Sequence, residues 1–290
     1  MRICLAVAAF LLALPAAAQV RPPADPDEIV VTGRETDKRQ VRDYVAGMTG
    51  MLGADPVARF ESDLCPRAFG LTPDFDRLVT ARMRRVAAGA GIKLAAEDCQ
   101  ATALILFAPD PRATIEVMRK TYPRLFEQPN GQPIRLARQR GPVIAWHVTA
   151  KVDRDGRRLE IDDETGQYIL ESADMPSGNQ AMVRPVYLMS IVVIDSDSLE
   201  GLTVNQVADY ATMRALTAAD PARIARTAAP TILTVIDAPM GSVTAGSVTQ
   251  WDLSFLRALY TAPPNLRGRT QRSGIGDRMA EDIQKAPDTR

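Results

Sequence analysis

The stretch VYLMSIVVID (Val186–Asp195), followed by LTVNQVADYATMRAL (Leu202–Leu216), decides how this chain is read. The first segment is a short run of β-branched and aliphatic residues, as expected of a strand buried on both faces. The second repeats apolar residues at helical spacing. PTILTVID (Pro230–Asp237) serves as a short connector, and VTQWDLSFLRALY (Val248–Tyr260) reads as a closing helix with Thr249 and Asp252 as a capping pair and Trp251, Phe255 and Leu259 turned inward. A buried strand feeding a helix is a common place for catalytic groups, so the polar residues here are the first to weigh.

Upstream, Val41, Tyr44, Val45, Met48 and Leu52 mark a first helix, stopped by Gly53 and Pro56. Thr72 and Pro73 open a second, with Phe75, Leu78, Val79, Met83 and Val86 on its inner face. Its Arg77, Arg82, Arg84 and Arg85 read as a solvated face, an anion site being the other reading. Residues 92–94 and 102–107 read as strands, Arg112 to Tyr122 as a third helix with Ile115, Met118 and Tyr122 inward, and Val143 to Val152 as a strand reversed at Asp153-Arg154-Asp155-Gly156. A short helix over Gly276 to Ala286 closes the chain.

The pattern gives an α+β class, a mixed sheet with packed helices. We divide the chain into a signal peptide (1–18), an arm whose composition predicts disorder (19–36), a single domain (37–262) with a hairpin or loop excursion (153–182), and a polar tail with a short helix (263–290). The signal peptide rests on Arg2, the apolar run Leu5 to Leu14 and the small residues Ala16 to Ala18. That run is too short to span a bilayer, and no later run approaches a span, so the mature chain is expected to be periplasmic or secreted without a transmembrane segment. Cleavage removes one arginine from a balance of 35 basic and 35 acidic residues, a charge unsuited to nucleic acid. It also leaves Cys65 and Cys99 as the only cysteines, which in an oxidising compartment are expected to pair.

Catalytic signatures are sparse. The single histidine, His147, lies in the VIAWHV strand, where alternation puts it on the face of Ala145 and Thr149, and a structural imidazole is the reading that follows. A triad through Ser190, Ser196 or Ser254 lacks the Gly-x-Ser-x-Gly turn that would present the nucleophile. Asp153, Asp155, Asp162, Asp163 and Glu164 do not have the spacing of a calcium loop. Asp195-Ser196-Asp197 reads as a turn that caps the next helix. No cofactor or metal motif emerges.

Two resemblances add to this. The order of strand, helix, Thr-Ile-Leu segment and closing helix, with the earlier helix and TALILF (Thr102–Phe107), resembles that of uncharacterised secreted bacterial proteins with a zincin-like layout, over roughly residues 60–260. In zincins the active helix bears His-Glu-x-x-His, whose two histidines share one helix face and ligate zinc. Here the motif falls on Asn205-Gln206-Val207-Ala208-Asp209 or on Ala208-Asp209-Tyr210-Ala211-Thr212, and neither register supplies the ligands. The resemblance therefore implies a scaffold without its metal, a non-catalytic protein that binds a partner or ligand. The alternative is a hydrolase using Asp195 and Asp209 in a cleft shared with Asp197 and Tyr210. The second resemblance is of Asp27 to Arg34, with Glu28, Ile29, Val30, Val31 and Thr32 at its heart, to the TonB-box region of outer-membrane receptors. It implies that the arm adds a strand to a periplasmic protein, as an accessory of an outer-membrane transport system.

Overall fold

The computed structural model describes residues 37–50, 53–128, 133, 134, 136, 139, 141–162, 164–170, 178–239 and 241–285. The signal peptide, the arm with Glu28 to Thr32, Leu52, Asp163 and Ala286 lie outside these residues.

Within them, seven helices surround one five-stranded, largely parallel sheet. The strands are β1 (Arg59–Phe60), β2 (Pro66–Phe69), β3 (Ala103–Ala108), β4 (Val143–Val152) and β5 (Arg184–Asp195). β2 pairs with β3 and β3 with β5, all parallel, while β4 runs antiparallel along the other side of β5. The first half of β5 pairs with β1, at Val186 and Tyr187, and the second half with β3, from Ser190 onward. The two short strands β1 and β2 give almost no alternation in sequence, which is why the periodicity alone does not reveal them.

Helices α1 (Lys38–Met48), α2 (Pro73–Gly89), α4 (Val204–Leu216), α6 (Gln250–Thr261) and α7 (Gly268–Lys285) join one face of the sheet in the main core. α3 (Pro111–Thr121), with Phe126 and Leu136, covers the other through Ile144, Trp146, Ile191 and Val193. α5 (Pro221–Ala225) is a single turn. Burial on both faces explains the unbroken apolar runs of β3 and β5. The helix starts follow from side-chain caps: Thr72 accepts from the Phe75 amide, and Thr203 with Gln206 and Thr249 with Asp252 form reciprocal capping boxes.

Five expectations need correction. Leu78, read as inward, is 50 % exposed because the buried stripe of α2 runs through Val79, Arg82, Met83 and Val86. Residues 92–94 form no strand, only a single parallel bridge from Leu94 to Leu64. Arg82 is not on a solvated face; it is 1 % exposed and faces α4. Tyr122, read as inward, is 58 % exposed because α3 ends one residue earlier, at Thr121, and the chain leaves helical geometry there. The closing helix starts at Gly268 rather than Gly276 and docks on α1 and α6, burying Gln271, Ile275, Met279 and Ile283.

The expected disulfide is present. Cys65 and Cys99, with Cα atoms 6.1 Å apart, join the strand that precedes α2 to the loop entering β3. Among the described residues no helix is long and apolar enough to cross a membrane.

Candidate functional site

α4 is the most enclosed helix of the fold, since every residue from Val207 to Leu216 is buried. Its polar side chains must therefore be satisfied inside the protein. Thr212 returns its hydroxyl proton to the Ala208 carbonyl, and Thr217 does the same to Met213. Asp209, with no exposed surface, accepts from Arg82 Nε at 2.8 Å and Nη2 at 2.9 Å, and from the Val248 amide at 2.6 Å. Arg82 also donates to Ser247 Oγ. This two-pronged ion pair welds α2, α4 and the entry to α6.

Asp195 is placed elsewhere, at the end of β5, where its carboxylate accepts from the Asp197 amide and opens a single 3-10 turn. The two carboxylates thus do not meet in an accessible cleft. Ser254 donates to Asp282, and Ser190 lies opposite His147 in the β4–β5 register with its hydroxyl fully buried. Asp153 and Asp162 are engaged in their own turns by the Asp155, Arg157, Glu164 and Thr165 amides.

The cavity that α4 does line lies on its opposite flank, beneath β4. It has a volume of about 880 Å³ and is bounded by Val143, Ala145 and His147 of β4, by Tyr210 and Arg214 of α4, by residues 217–222 with Asp220 among them, by Ala225 and by Asp237. Tyr210 and Arg214 are four residues apart and so share one helix face. The Arg214 side chain is 6 % exposed, donates from Nη1 to the Tyr210 hydroxyl at 2.9 Å and lies 5.8 Å from the centre of that ring. No carboxylate among the described residues forms an ion pair with it. Asp237 stands across the cavity beside Gly141.

His147 reaches into the same space. Part of the residue remains open to the cavity, but its ring stacks on Tyr187 at 4.0 Å and donates from Nε2 to the Ala215 carbonyl at 3.1 Å. This enclosure desolvates the imidazole, and the Arg214 charge works in the same direction, so its pKa falls to about 4 despite the Ala215 bond. Burial likewise raises the Tyr210 hydroxyl, with a smaller contribution from Asp237. At neutral pH the site therefore offers the Arg214 cation, the neutral His147 and Tyr210, and two carboxylates, Asp237 and Asp220, that make no ion pair with Arg214; Asp220 caps α5 through the Arg223 amide.

The wall formed by β4 has a further property. The Gln139 side-chain amide accepts from the Ala145 amide at 2.9 Å and donates to the Ala145 carbonyl at 2.7 Å. A neighbouring peptide group would make the same two bonds in a sheet. Gln139 therefore occupies, with a side chain, a place that an added strand could take.

No family model, curated protein or solved structure matches this chain.

The residues at the positions where zincins carry their zinc ligands do not fit a zinc ion. Neither Asn205 and Asp209 nor Ala208 and Thr212 form the pair that faces the cavity; Tyr210 and Arg214 do, and a guanidinium repels a divalent cation. Among the described residues no group of three or more His, Cys, Asp or Glu is placed to hold a metal ion. The four-residue spacing of Tyr210 and Arg214 was visible in the sequence. What Gln139 and Asp237 contribute depends on loops whose course the sequence does not specify.

Proposed function

We propose that the chain is a periplasmic or secreted, non-catalytic binding protein on a zincin-like scaffold, and that its ligand is an extended peptide or peptide-like molecule ending in a carboxylate. The observation that carries this is Arg214, a nearly buried guanidinium on the wall of a cavity, without a carboxylate partner among the described residues. A buried cation is costly unless an anion reaches it, and a planar guanidinium suits a carboxylate in particular. The paired edge of β4 at Ala145 supports an extended main chain along that wall, and the cavity volume is within the range of ligand sites. An antiparallel strand beside β5, with α4 as the next α-helix after β5, supports the zincin-like layout. The disulfide supports an oxidising compartment.

The test is calorimetric titration with N-acetyl-tetraalanine as the free acid and as the C-terminal amide. The acid is expected to bind at least ten-fold more tightly than the amide and to be recovered intact. Arg214→Met is expected to abolish that preference, and Gln139→Ala, which frees the strand edge without touching the core, to tighten binding several-fold. Equal affinity for acid and amide, or cleavage of the peptide, contradicts the proposal.

A further inference from the structure

A second cavity, of about 630 Å³, opens between α1 and the beginning of α7. Four of its eleven lining residues are arginines, Arg42, Arg267, Arg269 and Arg272, and none of the described lining residues is acidic. In a chain whose acidic and basic residues balance, four arginines lining one cavity, Arg42 from α1 and the other three from the start of α7, are not a consequence of overall charge. Their mutual repulsion disfavours the arrangement unless something holds it in place or neutralises it.

The structure shows what holds it. The Arg267 amide donates to the Asn179 carbonyl and the Gly268 amide to the Ala54 carbonyl, both at 2.8 Å, and Gln271 accepts from the Val57 amide at 2.6 Å. Arg272 donates to the Gly53 carbonyl, and burial lowers the pKa of its guanidinium. At Gly268 a Cβ would lie 2.1 Å from the Asp55 carbonyl oxygen, so only glycine lets residues 53–55 press onto the first turn of α7. The wall is thus fixed by hydrogen bonds among three segments, residues 53–57, Asn179 and residues 267–272, and the positive end of the α7 dipole adds to the field of the arginines. Val45, Ala46 and Ala54 supply an apolar floor. The described lining residues include no aromatic ring on which a base could stack, which argues against a nucleotide or single-stranded nucleic acid.

We infer that this groove is a site for a phosphate-bearing amphiphile, with the phosphate held by Arg42, Arg267 and Arg269 and a short apolar segment lying on Val45, Ala46 and Ala54. Arginine is suited to phosphate because its planar fork matches two phosphate oxygens at once. The site is separate from the Arg214 cavity, and the two can be tested independently.

The experiment is calorimetric titration of the full mature chain with dihexanoyl phosphatidic acid, kept below its micellar concentration. Inorganic phosphate tests the headgroup alone, and dihexanoyl phosphatidylcholine tests the apolar part with no net charge. Phosphatidic acid is expected to bind at least ten-fold more tightly than either. The Arg42→Ala/Arg269→Ala double variant, whose changes are at exposed side chains and leave the backbone contacts in place, is expected to lose at least ten-fold in affinity. Added salt should weaken binding to the wild type more than to the variant. Absence of phosphatidic acid binding, an unaltered affinity in the double variant, or inorganic phosphate binding as tightly as the amphiphile would each overturn the inference.

Discussion

Replacing Asp209 by alanine separates a structural role for this carboxylate from a catalytic one. The side chain has no exposed surface, holds Arg82 with two hydrogen bonds and accepts a third from the Val248 amide. Removing one partner of a buried ion pair leaves the other charged, desolvated and uncompensated, which costs about 3–5 kcal/mol. With a urea dependence of about 3 kcal/mol/M, the unfolding midpoint should fall by roughly 1–1.7 M. Asp209→Asn keeps an acceptor for the Val248 amide but not the charge, so it should lose less. The Arg82→Met/Asp209→Asn pair should regain most of the stability, because no unpaired charge remains inside. Equilibrium urea unfolding followed by tryptophan fluorescence is the assay, since Trp251 lies in the same core. A midpoint for Asp209→Ala within 0.3 M of the wild type, that is, about 1 kcal/mol or less at that slope, would refute the argument.

Two further outcomes follow from the same physics. The folded His147 resists protonation down to about pH 4, whereas in the unfolded chain it takes up a proton near 6.5. The unfolded state therefore binds more protons between those values, and stability falls as pH drops from about 6.5 to about 4, by up to roughly 3 kcal/mol. Urea midpoints at pH 7, 5.5 and 4 should show this slope in the wild type and a shallower one in His147→Gln; equal slopes would count against a buried neutral imidazole. The disulfide closes a loop with a sequence separation of 34, so the Cys65→Ser/Cys99→Ser variant should be less stable by roughly 3–4 kcal/mol, read from the same unfolding curves.

Much of the scaffold was legible in the sequence because its signals are local. Thr72 before Pro73 and Thr249 three residues before Asp252 state where helices start, and the apolar runs of β3 and β5 mark strands enclosed on both faces. What failed to show was set by partners distant in the chain. Arg82 looks like any helix-surface arginine until Asp209, 127 residues away, is packed against it. α7 has only Ile275, Met279 and Ile283 on its inner face among glycines and charges, and it is the surface of α1 and α6 that makes the helix worth forming. The Arg214 cavity falls in the same category. Its helix face is readable at a spacing of four, but its far walls come from Gln139, residues 217–222, Ala225 and Asp237, and no local rule brings these together. The two zincin registers cover residues 205–212, whereas the α4 pair that faces the space under β4 is Tyr210 and Arg214, a spacing of four that matches neither register.

The most direct measurement is amide and arginine side-chain chemical-shift mapping of isotope-labelled protein titrated with N-acetyl-tetraalanine. Binding in the Arg214 cavity predicts saturable shifts clustered at the Ala145 and His147 amides, at the amides of residues 218–220 and 222 and at the Arg214 Nε proton, all lost in Arg214→Met. Shifts clustered elsewhere, or none at millimolar peptide, would contradict the assignment of this cavity as the binding site.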